Sequence, residues 1–119
     1  MKDNRPALRY GRVVYAWIKD RRGFSKMRPA LVLTADELID KDAALIVAAI
    51  TTTFTDPPPK RHLPLPWHPR GRVSTQLRKR SAVVLDWQSV IRPDDVIGFG
   101  GDVPARVMLE IERRLDEMV

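Results

Sequence analysis

Apolar and polar residues alternate from Leu8 to Ile18, with Val13, Tyr15 and Trp17 on one side of an extended chain and Val14, Ala16 and Ile18 on the other. This period of two predicts a strand. Asp20 to Lys26 is rich in turn formers and predicts a hairpin return. Ala30 to Leu33 is a continuous apolar tract, expected of a strand buried on both faces. Pro29 cannot donate to a ladder, so it should mark the start of that strand or a bulge, and it biases Arg28 towards extended backbone. Thr34 and Glu37 have capping-box spacing ahead of Leu38 and Ile39, predicting a short helix closed by Asp40 to Asp42. Ala43 to Ile50 reads as a central strand that runs into Thr51, Thr52 and Thr53.

Asp56 to Pro59 is a proline loop, and Arg61 to Trp67, interrupted by Pro64 and Pro66, reads as an edge strand. Gly71 to Leu77 predicts a turn and a short strand, and Ser81 to Leu85 a strand closed by Asp86, Trp87 and Gln88. A turn at Ile91 to Asp95 leads to a last strand at Val96 to Phe99. Val107, Met108, Ile111, Leu115 and Met118 then form one apolar stripe at helical spacing, with Glu110, Arg113, Arg114 and Glu117 opposite. This predicts a packing helix from Val103 or Pro104 to Met118, with no chemistry of its own. Residues 1–7 read as a loose arm. With no repeats and no linker, the pattern predicts a single mainly β domain over residues 1–119 with one C-terminal helix.

The composition, 44% hydrophobic and 30% charged over 119 residues, is that of a globular chain able to bury one core. The absence of cysteine excludes disulfides and thiolate metal sites, and two histidines are too few for a histidine-built metal cluster. No apolar run approaches a membrane span and the N-terminus lacks a signal-peptide core, so a cytoplasmic protein is expected. Charge changes the picture more. The net charge is +6, and no acidic residue lies between Pro57 and Leu85, where Lys60, Arg61, Arg70, Arg72, Arg78, Lys79 and Arg80 all fall. Lys19, Arg21, Arg22, Lys26 and Arg28 form a second basic group opposed only by Asp20. Two such segments are either solvated loops or the footprint of a polyanion binder.

Arg28, at the mouth of a strand, offers a planar, permanently charged fork suited to a phosphate; alternatively it caps a sheet edge. The threonines at 51–53 either present hydroxyls to phosphate oxygens or reflect the strand preference of threonine. Asp86 ends an apolar strand and can accept a proton, orient an arginine or form an Asx turn. His62 is an acid–base candidate or a surface loop histidine. Trp67 and His68 lie among cations, where an aromatic can stack on a base or simply pack. Gly98, Gly100 and Gly101 have no helix at the spacing a phosphate loop needs.

Taken in order, Gly11 to Tyr15, the loop at Gly23 to Ser25, Arg28 to Leu33, Ala48 to Thr51, Leu77 to Asp86 and the final helix resemble the MazF/PemK toxins of type II toxin–antitoxin systems. The resemblance implies an SH3-like β-barrel with a small accessory sheet, a short helix after the second strand and a C-terminal packing helix, in a homodimer. It implies a cofactor-free, metal-independent endoribonuclease that cuts single-stranded RNA and is inhibited by the acidic segment of a cognate antitoxin. Arg28 and Thr51 match the family's catalytic arginine and threonine, and Asp86 an acidic position near the RNA. Lys19, Arg21, Arg22, Lys26, Lys60, Arg61, His62, Arg78, Lys79 and Arg80 are the expected RNA contacts.

Metal-free cleavage uses the RNA's own 2′-hydroxyl and should leave a 2′,3′-cyclic phosphate and a 5′-hydroxyl. Arginine is too weakly acidic to serve as the base, which leaves Asp86 or His62. The sequence departs from the family pattern at Trp87, where glutamine is common, in the triple-proline loop, and in a first hairpin without histidine. Because fold does not fix function, two rival readings share this fold: a protein binder like its gyrase-poisoning relative, or a decayed toxin retained as a partner subunit.

Overall fold

The alternating and continuous apolar tracts become strands β1 (Arg12–Lys19), β2 (Ser25–Val32), β3 (Leu45–Thr51), β4 (His62–Leu65), β5 (Ser81–Ile91) and β6 (Val96–Asp102). The apolar stripe that follows becomes helix α1 (Ala105–Glu117). The computed structural model describes residues 7–39 and 44–119, so most of the predicted arm, and residues 40–43 after the predicted short helix, lie outside the described residues. The strands form one sheet in the order β4-β5-β3-β2-β1-β6. Every neighbouring pair is antiparallel.

The architecture is mainly β with one C-terminal helix, as expected, but the sheet is open. Its edges are β4 and β6, and the strands expected in a separate accessory sheet belong to the same sheet. β4 is only four residues long and contains Pro64, which has no N–H to offer a further strand. On β6, the N–H groups of Gly101 and Asp102 already donate to the carbonyls of Thr75 and Ser74, at 3.0 and 2.9 Å. A Cβ at position 101 would lie 1.8 Å from the Ser74 carbonyl oxygen, so only glycine permits this approach.

Two cores result, one on each face of β1–β3. Val13, Leu31, Ala48, Ile50, Val83 and Leu85 pack beneath Met108 and Ile111 of α1. Val14, Ala16, Ala30, Val32, Leu45 and Val47 pack on the other face, together with Ile91 and Val96 from the ends of β5 and β6. The Tyr10 hydroxyl donates to Glu112 at 2.6 Å and ties α1 to the chain before β1.

Four expectations are corrected. The segment after β2 forms a 3₁₀ turn at Asp36–Leu38 without a side-chain cap, not a capped helix. Thr34 Oγ1 instead accepts the Ile46 N–H at 2.8 Å, and Asp36 Oδ1 accepts the Tyr10 N–H at 2.7 Å. Neighbouring strands have taken the oxygens that would otherwise cap. Residues 71–77 form turns and no strand, because the carbonyls of Ser74 and Thr75 serve β6. β2 begins at Ser25, four residues before Pro29, and pairs with β1 along its whole length. Only its pairing with β3 stops beside the proline, at Ala30 opposite Ala49. Finally, β5 does not end at Leu85 but continues through Asp86 and Trp87 to Ile91.

Candidate nucleic-acid interface

The site begins with an irregularity in β5. Ala48 pairs with Gln88 and Ile50 with Val83, so two steps along β3 pass five along β5. The excess residues bulge from the ladder, and such bulges re-aim side chains. Here Asp86 and Trp87 turn towards a groove of about 600 Å³. One wall is the hairpin between β1 and β2, which contributes Lys19, Asp20, Arg21 and Arg22. The other elements contribute Thr51 at the end of β3, His62 of β4, and Val84, Gln88 and Ser89 beside the bulge. The hairpin is held by Asp20, whose Oδ1 accepts the N–H groups of Arg22 and Phe24 at 2.8 and 3.1 Å. Its carboxylate therefore serves the turn, and Arg21 and Arg22 remain exposed.

Arg28 and Thr51 share this face. Ala30 pairs with Ala49, and moving two residues outward on each strand sets Arg28 across from Thr51, where the ladder has ended. Arg28 is half-buried, and its guanidinium carbon lies 4.8 Å from the centroid of the Trp87 ring. Its Nε is buried and has no hydrogen-bond partner. Thr51 Oγ1 accepts the Thr53 N–H at 3.1 Å, which fixes the hydroxyl at the strand end. Asp86 meets Arg61 at 3.5 Å in an exposed pair, and the Nδ1 of His62 is buried without a partner. Among the described residues, no group of three or more His, Cys, Asp or Glu side chains is placed to hold a metal ion.

The structure thus brings Lys19, Arg21, Arg22, Thr51, His62 and Asp86 to one groove, with Arg28 joined through Trp87 and Arg61 through Asp86. The remaining expected contacts lie apart. Lys26 is exposed on β2 opposite Ile18. Lys60 faces α1, where its carbonyl accepts Arg114 Nη1 at 3.0 Å. Arg80 stacks on Phe54 with its guanidinium carbon 3.8 Å from the ring centroid, and Arg78 and Lys79 are exposed outside the groove lining. Sequence reasoning missed Gln88 and Ser89, and treated Trp87 only as a departure from the family pattern. The signal was present: Asp86 to Ser89 is a polar break around one aromatic inside an otherwise apolar run.

A basic groove on an open antiparallel sheet defines a small polyanion-binding β protein. Residues 9–119 match the family model described as PemK-like, MazF-like toxin of type II toxin-antitoxin system, and the chain belongs to that family. No curated protein sequence matches the chain. Among solved structures, MazF from Deinococcus radiodurans is similar with a TM-score of 0.73 and 18% identity, over 93% of this chain and 94% of that one. A mycobacterial endoribonuclease in complex with its cognate antitoxin has a TM-score of 0.71 and 18% identity, covering 92% of each chain. The Mycobacterium tuberculosis toxin MazF-mt6 has a TM-score of 0.59 and 24% identity, over 87% of this chain and 89% of that one. At these identities the structural likeness speaks for the fold. No helix among the described residues is long and apolar enough to cross a membrane.

Proposed function

We propose that this chain is a metal-independent endoribonuclease acting on single-stranded RNA, the toxin half of a toxin–antitoxin pair. The observation that carries the reading is the placement of Arg28 and Thr51 on one sheet face, beside a groove whose hairpin cations have no carboxylate partner. In cleavage, the 2′-oxygen bonds to phosphorus and the bond from phosphorus to the 5′-oxygen breaks. The 2′-hydroxyl proton passes to a base, and the departing 5′-oxygen takes up a proton. The products are a 2′,3′-cyclic phosphate and a 5′-hydroxyl.

Arg28 stabilises the charge that accumulates on the phosphorane, as preoriented donors aimed at developing charge do. Thr51 hydrogen-bonds the same phosphate. Asp86 stands at the groove as the base, with His62 on the same wall as its competitor. Lys19, Arg21 and Arg22 hold the flanking phosphates.

The reading extends to partners. MazF of D. radiodurans was solved with MazE, and the mycobacterial endoribonuclease with its cognate antitoxin. The basic groove of this chain suits the acidic segment of such an antitoxin. A single-domain protein, working as a homodimer in the cytoplasm, completes the proposal.

The test is incubation of the purified protein with a long single-stranded RNA in EDTA, beside an Arg28→Ala control. Recurrent cleavage at a short site, lost in the control, supports the reading. Binding without cleavage in both proteins overturns it in favour of a non-catalytic binder.

A further inference from the structure

Trp87 occupies a position that the proposed chemistry does not itself require. Its indole Nε1 donates to the Lys19 carbonyl at 3.1 Å, where β1 gives way to the hairpin. Its ring carries the Arg28 guanidinium, and its inner edge packs against the core that contains Leu45, Val47 and Ile91. One side chain therefore touches the core, the mouth of the loop and the arginine. Among the described residues, no carboxylate or carbonyl meets Arg28.

The choice of partner has a chemical consequence. A carboxylate would fix the arginine by neutralising it and occupying its donors. An aromatic face fixes the plane of the guanidinium, leaving its charge and in-plane N–H groups available to a phosphate. We propose that Trp87 is a positioning residue: it holds Arg28 flat and uncommitted for the scissile phosphate and latches the β1–β2 hairpin against the β5 bulge. The inference rests on the nuclease reading of Arg28.

Three proteins test it on RNA: Arg28→Ala, Trp87→Leu and Trp87→Phe. Leucine keeps apolar packing without a ring face, and phenylalanine keeps the face without the indole donor. Trp87→Leu should lower kcat roughly 5- to 30-fold, the size of a desolvated cation–π contact, with KM changed less. Trp87→Phe should recover most of that kcat. Wild-type kcat in Trp87→Leu, or equal losses in both variants, overturns the positioning role while an inactive Arg28→Ala leaves the nuclease reading intact. Full activity in Arg28→Ala overturns both.

A second measurement does not depend on catalysis or on the leucine variant folding. Replacing the exposed Trp17 and Trp67 with phenylalanine leaves Trp87 as the sole tryptophan of the three. Its emission should change when Arg28→Ala is added to that background. Unchanged emission places the guanidinium off the ring in solution and overturns the proposal.

Discussion

On helix α1, Arg113 donates to both Glu110 and Glu117, and Arg114 donates to Glu110. Below it, Arg9 holds Asp102 at 2.7 Å. Across the sheet, Arg28 rests on an indole, and the one carboxylate of the hairpin wall, Asp20, is spent on backbone N–H groups. The two regions are similarly basic but distribute their charges differently. Cations on the helix side are satisfied internally and contribute to the fold. Cations around the groove are held in place without compensation, an arrangement suited to an anion that arrives from outside. Net charge alone would not separate them.

The largest way to break this comparison is to weaken the helix side. Ile111 is fully buried beneath α1. Ile111→Ala should cost about 2–5 kcal/mol of stability through lost burial and a residual cavity. Denaturant unfolding will measure it, and kcat per folded molecule should stay unchanged. Next is the groove. Arg28→Ala should lower kcat by roughly 100- to 1,000-fold, the usual loss for one donor aimed at developing charge. Its unfolding midpoint should barely move, because no ion pair is broken. A variant that loses stability and activity together would show that Arg28 belongs with the structural cations.

A smaller effect separates binding from chemistry. Arg21→Gln and Arg22→Gln should each reduce the salt dependence of binding to single-stranded RNA by about 0.7 in logarithmic slope if each meets one phosphate. Equilibrium binding across a salt series measures this. Neither change should alter kcat at saturating RNA by more than a few-fold. An unchanged slope in both would remove the hairpin from the interface.

Much of this division was legible beforehand, for identifiable reasons. The strands and α1 follow from periodicity, and Arg28 and Thr51 from the motif tract and the strand end that carry them. Asp86 was legible as the carboxylate after an apolar run. The capped helix at Thr34 was not, because its capping oxygens answer to Ile46 and Tyr10, which are distant in sequence. Trp87 was misjudged because its importance comes from a register shift between β3 and β5, which no local pattern encodes. Lys60 and Arg80 were grouped with the RNA contacts on charge, whereas their partners, Arg114 and Phe54, emerge only from tertiary packing.

The smallest test reads the helix side through acid. Arg113 first, and then Arg114, hold the Glu110 carboxyl down to about 2 from an ordinary value of 4.5. A carboxylate depressed in the folded state contributes stability that is fully present above its unfolded pKa and is lost as pH falls through the folded one. For Glu110 that window runs from 4.5 down to about 2. Arg113→Gln removes the largest cause, so the variant should be slightly less stable than wild type at neutral pH, and the gap should close as the pH falls through that window. The gap should be small, since exposed pairs are screened by solvent. Thermal midpoints of both proteins from neutral pH to pH 2 measure the convergence. RNA cleavage by the variant should equal wild type at neutral pH, because Arg113 is already committed to Glu110 and Glu117 and has no charge to lend the groove. A cleavage defect in Arg113→Gln would show that helix cations also serve RNA, and the division between the two regions would have to be redrawn.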